Sequence, residues 1–281
     1  MCDLCELYGE PEVESGVWYL NPKNYARQMY RRRATGYAPS GTEANVEAQQ
    51  FAGTGAREAL RAMEEGPEAW AAFQKQAAER RARSDGSQVV PIRDAEKIID
   101  LCSPIGLMHC VCRKGDRGVE ERSPEEYTCM GMGVGMLKWE RWPERYKGGV
   151  YFVNPDEAKE WLWKCDKLGY VHALMTFGVP YIGGFCQCEY PACGIIRSRL
   201  DFGYGLRKSH YVALVDYDKC NGCGVCAQRC QFGALKFEVT IDKANIDPFQ
   251  CFGCGLCETA CPTGAIYLKS RMGIPALSGV W

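Results

Sequence analysis

Eight cysteines in the C-terminal quarter of the chain fall into two runs with the same spacing. Each run reads Cys-x2-Cys-x2-Cys-x3-Cys, the first from Cys220 to Cys230 and the second from Cys251 to Cys261. Thiolates are soft ligands that select iron–sulfur clusters or zinc over harder ions. Zinc sites use pairs of Cys-x2-Cys separated by a longer spacer, and a run of three plus one does not divide into such pairs. The spacing therefore favours iron–sulfur clusters.

The two runs are copies of one unit of about 31 residues, the distance from Cys220 to Cys251. Both copies read Cys-x-Gly-Cys-Gly-hydrophobic-Cys-x3-Cys and continue to a Gly-Ala pair ahead of a short predicted strand. The glycines allow backbone N–H groups to approach cluster sulfurs closely. One cluster per copy is the expectation.

This region resembles the bacterial-type dicluster ferredoxins over about 60 residues. The resemblance implies two [4Fe–4S] clusters, with the fourth cysteine of each run ligating the cluster of the other run. Pro262 follows the second run as the pattern expects, but Gln231 stands where proline usually follows the first. The implied ligands are Cys220, Cys223, Cys226 and Cys261 for one cluster, and Cys251, Cys254, Cys257 and Cys230 for the other.

Six further cysteines form two groups in the middle of the chain, each containing a Cys-x-Cys pair. This region resembles uncharacterised iron–sulfur proteins of anaerobes that have a Cys-x-Cys-Arg motif ahead of a dicluster ferredoxin domain. The matching residues are Cys110, Cys112, Arg113, Cys129, Gly169 to His172, Cys186 and Cys188. We predict a third iron–sulfur cluster here, with buried packing or a structural zinc as alternatives. Its candidate ligands are Cys110, Cys112, Cys129, Cys186, Cys188 and Cys193.

Four cysteines remain of the eighteen. Cys102 and Cys165 fall on apolar faces of predicted helices, so we expect them to pack as small hydrophobic residues. Cys2 and Cys5 form a single Cys-x2-Cys, which is half a metal site, and the sequence leaves its metal binding open. The three histidines are predicted to be polar core residues. They are His109, His172 and His210.

The predicted elements give an α+β fold with mainly helical N-terminal and middle regions and a small C-terminal ferredoxin-like dicluster domain. Residues 1–90 are expected to be a helical arm, with one helix starting at Asn21-Pro22 and two short helices separated at Gly66-Pro67. Residues 91–209 are expected to be a cysteine-rich, mostly helical domain. Residues 210–281 are the dicluster ferredoxin domain and a C-terminal tail.

Three elements stand out in the last two parts. Apolar residues from Ala95 to Cys102 recur at helical spacing. Asn154-Pro155 is an N-cap followed by proline, which predicts a helix that continues to Gly169. The β-branched and apolar run Tyr211–Val215 predicts a strand leading into the first cysteine run.

Composition narrows the class of protein. The 281 residues are 46% hydrophobic and 25% charged, which is enough for a buried core. A net charge of −1 provides no electrostatic footprint for nucleic acid. The opening residues are polar and acidic, and no apolar run reaches the length of a membrane span. We therefore expect a cytoplasmic protein whose thiolates are reserved for metal.

The motifs favour an electron-transfer subunit over a catalyst. No nucleophile elbow, P-loop or complete dinucleotide-binding motif occurs in the sequence. From Tyr211 to Trp281 six acidic residues balance six basic ones, whereas free ferredoxins are commonly acidic. We therefore predict a non-catalytic iron–sulfur subunit that relays single electrons to or from redox-enzyme subunits in a complex. The alternative is a redox enzyme in its own right, with a substrate pocket beside a third cluster.

Overall fold

The computed structural model describes residues 2–12, 16–22, 24, 52–84, 87–110, 112–114, 118–119, 121–133, 136, 150–176, 182–203 and 205–281. The N-terminal part holds helix α1 (Asp3–Tyr8), a 3-10 turn (Trp18–Leu20) and helices α2 (Ala52–Glu65) and α3 (Pro67–Ser84). The break predicted at Gly66-Pro67 is confirmed, because α2 ends before it and α3 begins with the proline. The helix predicted to begin at Asn21-Pro22 lies, beyond its first residues, outside the described part of the chain.

The N-terminal segment, residues 2–12 and 16–20, packs into the same core as the middle region. The side chains of Leu4, Trp18 and Tyr19 are fully buried in that core. The indole Nε1 of Trp18 donates to Gln88 Oε1 at 2.7 Å, and the Tyr19 hydroxyl donates to Asp94 Oδ2 at 2.9 Å. The sequence predicted an N-terminal arm, whereas this segment contributes to the central core.

The middle region is organised around a six-stranded antiparallel sheet in the order β1-β5-β6-β3-β2-β4. Three helices accompany the strands. In chain order the elements are β1 (Gln88–Val89), α4 (Ile92–Asp100), β2 (Ile105–Met108), β3 (Cys129–Met132), β4 (Tyr151–Val153), α5 (Pro155–Lys167), β5 (Val171–Thr176), β6 (Ile182–Cys188) and α6 (Gly194–Phe202).

The prediction of a mostly helical middle region has to be corrected, because the sheet was missed. Its strands are short and rich in glycine, cysteine and methionine, as in Ile182–Cys188, and these residues carry a weak β signal. The central strands are also buried on both faces, which removes the alternation that marks a strand. The helices predicted around Ala95 and after Asn154 are confirmed as α4 and α5. A capping box at Asn154 and Glu157 starts the latter.

The two faces of the sheet have different roles. One face packs against α4, α5 and the N-terminal segment, with Ile98 and Leu162 fully buried between the layers. On the other face Cys129 lies directly opposite Cys186 across the β3–β6 pair. Cys188 follows two residues later and therefore projects from the same side as Cys186. This second face carries three cysteines of the middle region, one from β3 and two from β6.

The C-terminal region consists of two strand pairs around the cysteine runs. Strand β7 pairs with β10, and β8 pairs with β9, both antiparallel. The strand predicted at Tyr211–Val215 is confirmed as β7. The elements are β7 (Tyr211–Val215), β8 (Leu235–Glu238), β9 (Lys243–Ile246), α7 (Leu256–Thr259) and β10 (Ile266–Ser270).

Hydrogen bonds from the end of the first cysteine run join the C-terminal region to the middle region. Arg229 Nη1 donates to the carbonyl oxygen of Lys167 at 2.7 Å, at the end of α5. Gln231 Nε2 donates to the Gly169 oxygen at 2.6 Å, and Gln231 Oε1 accepts from the Tyr190 N–H at 2.7 Å. None of the helices in the described residues combines the length and apolarity needed to cross a membrane.

Candidate metal centres

The first cysteine group consists of Cys220, Cys223, Cys226 and Cys261, which line one small cavity. Three of these thiols come from the first run, and the fourth comes from the end of the second run. The main-chain N–H of Ala265 donates to Cys261 Sγ at 3.2 Å. Burial alone would raise the pKa of Cys261, but hydrogen bonds from Thr263 and from main-chain N–H groups lower it below the usual thiol value.

The second cysteine group consists of Cys251, Cys254 and Cys257 together with Cys230. Cys230 lies close enough to each of the other three thiols for its charge to raise their pKa values. Two main-chain N–H groups, from Ala213 and Gly253, donate to Cys251 Sγ at 3.4 and 3.3 Å. The arrangement brings together the same four thiols that the crossed ligand pattern requires.

The glycines in the runs allow the backbone to wrap closely around these thiols. Gly253 has φ +66°, a conformation that side chains rarely adopt, and a Cβ there would lie 2.0 Å from the Tyr211 oxygen. Only glycine fits at this position. The tight turn, the thiols and the inward N–H donors together suit a cubane cluster, whose sulfur atoms accept such hydrogen bonds.

The two groups differ in their access to solvent. Cys223 of the first group is exposed. In the second group Cys251 is buried, and burial is the main cause that raises the pKa values of Cys251, Cys254 and Cys257. The first group therefore faces outward and the second faces the middle region.

Arg271 is a residue next to the second group that sequence reasoning missed. Its side chain is fully buried, and Nη2 donates to the oxygens of Cys251 at 2.9 Å and Tyr211 at 3.0 Å. Burial lowers its pKa, which the nearby Cys251 thiol opposes. A buried guanidinium of this kind stabilises negative charge on the second group. In the sequence, nothing but its position directly after β10 connects this arginine with the cysteine runs.

The six middle cysteines form a closed ring, in which each thiol contacts two others. We call this the six-thiol ring. The Sγ atoms of Cys129 and Cys186 are 4.0 Å apart, and those of Cys188 and Cys193 are 3.0 Å apart. Around the ring the order is Cys110, Cys112, Cys193, Cys188, Cys186, Cys129 and back to Cys110.

The ring is assembled from segments that are distant in sequence. Strand β3 supplies Cys129 and strand β6 supplies Cys186 and Cys188. The N-cap residue of α6 is Cys193, where main-chain N–H groups and the thiols of Cys112 and Cys188 lower its pKa. Cys110 and Cys112 follow β2 and complete the ring. The structure therefore brings together all six cysteines that the sequence had grouped into a third site.

Glu121 and Arg113 hold the segment that carries the first two ring cysteines. The carboxylate of Glu121 accepts hydrogen bonds from the N–H groups of Cys110 at 2.7 Å and Thr128 at 3.1 Å. It also forms an ion pair of 3.2 Å with Arg113 Nη1. Among the described residues, the buried Nη2 of Arg113 has no hydrogen-bond partner. Sequence reasoning identified the arginine by its motif but gave no signal for the glutamate.

The thiols of the six-thiol ring are spread too widely to bind one ion together. In the described part of the chain, three potential ligand atoms come within 4.8 Å of one another only at Cys2, Cys5 and His210. Thiols of the ring touch their neighbours but do not converge on one point. Thiol contacts and burial raise the pKa values of Cys129 and Cys186 well above the usual range. Metal ligation would therefore have to displace protons from closely packed thiols.

The ring and the second cysteine group lie on one hydrophobic cluster. Cys188 and Cys193 share this cluster with Cys230 and Cys254. Two stacked rings, Phe232 and Phe252, fill the space in the same cluster with centroids 4.0 Å apart. The two thiol sites therefore pack against the same hydrophobic cluster.

The other sulfur and imidazole groups have separate environments. His172 is fully buried between Gln187 and Asp166, in agreement with the polar core residue predicted from the sequence. Cys165 is buried in the main core, and burial raises its pKa to about 12. Cys102 is buried there as well. His210, predicted to be a core residue, is buried and lies against Cys5.

Comparison with known proteins identifies one part of the chain. The family model of the 4Fe-4S dicluster domain matches residues 219–265, which contain all eight cysteines of the two runs. The C-terminal region therefore carries a dicluster ferredoxin domain, as predicted, and this supports iron–sulfur binding and an electron-transfer role. The match does not extend to the middle region. A search of curated proteins finds no match to the chain.

Proposed function

We propose that this chain is an iron–sulfur electron-transfer subunit that relays single electrons to or from a partner redox enzyme in the cytoplasm. The first and second cysteine groups would each hold a [4Fe–4S] cluster with the crossed ligands described above. The six-thiol ring would hold a third iron–sulfur cluster. Such clusters supply one-electron redox chemistry when bound.

The observation that carries the proposal is the shared packing of the three thiol sites. The ring and the second group pack against the hydrophobic cluster that contains Phe232 and Phe252, and both groups of the dicluster domain lie on a further shared cluster. An exposed thiol, Cys223, ends this series at the surface. A series of adjacent thiol sites from interior to surface is what a relay needs, whereas isolated structural metals need no such alignment.

The protein holds the ring and the second group at a fixed separation. Gln231 follows the ligand Cys230, and its side chain bonds to Gly169 and to Tyr190, close to Cys188. Proline could make neither bond. The departure from the ferredoxin pattern at this position therefore supports a permanent contact between the dicluster domain and the middle region.

The surface beside the first group is suited to a partner. The β8–β9 hairpin exposes Val239 by 81% and Ile241 by 52% of their surface. Its turn lies against the first run, because a Cβ on Gly222 would come within 2.4 Å of the Asp242 oxygen. Exposed apolar side chains of this kind mark protein interfaces. We propose that a redox-enzyme subunit docks here.

The width of the ring favours a polynuclear cluster over a single zinc, since zinc needs ligand atoms that converge on one centre. The alternative is an enzyme with a substrate pocket beside the ring. The cavity on α5 does not support it, because no ring cysteine lines that cavity. That cavity is lined by Lys159, Glu160, Trp163, Lys164, Lys167 and Leu168, and contains no cysteine.

Anaerobic purification of the full chain from its native host tests the proposal. We expect about twelve iron atoms and as many labile sulfides per chain, together with a co-purifying oxidoreductase. Replacement of Val239 and Ile241 by aspartate should release the partner but leave the iron content unchanged. Stoichiometric zinc without labile sulfide would refute the iron–sulfur assignment, and turnover of a substrate by the isolated chain would favour the enzyme.

A further inference from the structure

Residues about 205 positions apart in the sequence meet in a buried group that none of the iron–sulfur sites includes. The Sγ atoms of Cys2 and Cys5 are 3.3 Å apart, and Cys5 Sγ lies 3.4 Å from Nε2 of His210. All three side chains are buried. Their ligand atoms lie within 4.8 Å of one another, a convergence that the ring lacks.

The separations fit a tetrahedron around one ion. With Zn–S of about 2.3 Å and Zn–N of about 2.0 Å, tetrahedral angles require S···S near 3.8 Å and S···N near 3.5 Å. The Cys5–His210 distance of 3.4 Å is within about 0.1 Å of this value, and the Cys5–Cys2 distance of 3.3 Å is about 0.5 Å shorter, so the two thiols have to separate slightly when they bind the ion. A disulfide would need sulfur atoms about 2.05 Å apart.

We propose that Cys2, Cys5 and His210 bind a single zinc ion, with a non-protein fourth ligand. Two thiolates and one imidazole are an established zinc ligand set, and soft thiolates exclude magnesium and calcium. The thiols lose their protons to solvent on binding, so the step involves no oxidation or reduction.

Neighbouring groups orient the side chains of Cys2 and His210 for metal binding. The N–H of Cys5 donates to Cys2 Sγ at 3.4 Å, which orients the first thiol toward the second. The His210 ring lies between the rings of Tyr19 and Trp281, with centroids 5.4 and 5.2 Å away. Aromatic packing on the imidazole fixes its plane and shields the group from water, as groups around metal sites commonly do.

The ion would tie the N-terminal segment to the dicluster domain. Residue 210 immediately precedes β7, and Arg207 forms an ion pair with Asp3 at 3.1 Å beside the same contact. Zinc does not change its oxidation state in proteins, so its role here would be structural and separate from the relay.

The test is metal analysis of the intact chain after anaerobic purification and a wash with a weak chelator. We expect one zinc per chain in addition to iron. Substitution of both Cys2 and Cys5 by serine should remove the zinc but retain the iron and sulfide. Cys102→Ser, at a buried thiol outside all the sites, is the matched control and should retain both. Hydrogen exchange in α1 should rise at least about tenfold in the double variant and remain unchanged in the control.

X-ray absorption at the zinc edge of the wild-type chain does not depend on the folding of any variant. It should show two sulfur and two nitrogen or oxygen neighbours. Zinc well below one per chain, four sulfur neighbours, iron or copper at this site, or a Cys2–Cys5 disulfide in the denatured unreduced chain would overturn the inference. Zinc retained by the double variant would overturn it as well.

Discussion

The dicluster domain and the six-thiol ring both concentrate cysteines, but they do so by different means. In the dicluster domain three of four thiols in each group come from one short run, and tight glycine turns wrap the chain around them. In the ring, by contrast, cross-strand register brings Cys129 opposite Cys186 although 57 residues separate them in sequence. The first arrangement can form locally, and the second exists only once the sheet has formed.

Because of this difference, we expect the two regions to respond differently to mutations in the surrounding fold. Local runs should tolerate changes in the surrounding fold, because their turns carry the geometry. The ring depends on the alignment of β3 with β6 and on the clamp formed by Glu121. Experiments that separate the two regions would therefore sharpen the comparison or break it.

The largest expected effect comes from removing the two members of the ring that flank Cys193. Replacement of both Cys112 and Cys188 by serine in the full chain should lower the iron content by about four atoms per chain, since ring thiols would no longer enclose a cluster. Colorimetric iron and sulfide assays under anaerobic conditions measure this. The signals of the dicluster domain should persist in the EPR spectrum of the reduced variant. If the iron content is unchanged, the ring is packing or a zinc site.

A smaller and more local effect is expected from Cys230→Ala. Because the fourth ligands cross over, this change should disturb the cluster of Cys251, Cys254 and Cys257, although it lies in the other run. EPR of the dithionite-reduced protein distinguishes the two clusters. The matched change Cys261→Ala should disturb the cluster of the first group instead. Damage confined to the run that carries each substitution would disprove the crossed assignment.

Gln231→Pro tests the contact between the two regions. It restores the usual ferredoxin residue but removes the side-chain bonds to Gly169 and Tyr190, which should cost about 2 kcal/mol of docking free energy. Hydrogen exchange around Tyr190 should increase, with no loss of iron. Lys236→Ala, on an exposed position of β8, serves as the control. Unchanged exchange in the proline variant would mean that the regions are held together elsewhere.

The smallest expected effect concerns Arg271. Loss of its buried positive charge beside Cys251 should make the reduced, more negative form of the second cluster less stable, so Arg271→Met should lower that cluster's potential by tens of millivolts. Arg271→Lys retains the positive charge and should shift the potential of the second cluster less. Redox titration followed by EPR gives both values. A shift of the first cluster alone would contradict the placement of the charge.

The features that could be predicted from the sequence are those determined by interactions between neighbouring residues. The cysteine runs, the break at Gly66-Pro67 and the cap at Asn154 each depend on a few adjacent residues, and the structure agrees with them. The sheet was missed because its strands, such as Ile182–Cys188, carry glycines and cysteines and are buried on both sides. The six middle cysteines lie together in the structure, but their closed order and the hydrogen bonds accepted by Glu121 depend on strand pairing that spacing does not encode.

The N-terminal segment (residues 2–12 and 16–20) packs into a core built from much later parts of the chain, and this affects how the protein folds during synthesis. Because synthesis runs from the N-terminus, Leu4, Trp18 and Tyr19 leave the ribosome long before their partners in β5, β6 and residue 210 exist. Gln88 and Asp94 can contact Trp18 and Tyr19 early, but these side chains cannot be fully buried until β5 and β6 have been translated. This segment therefore completes its packing only after most of the middle region has been made.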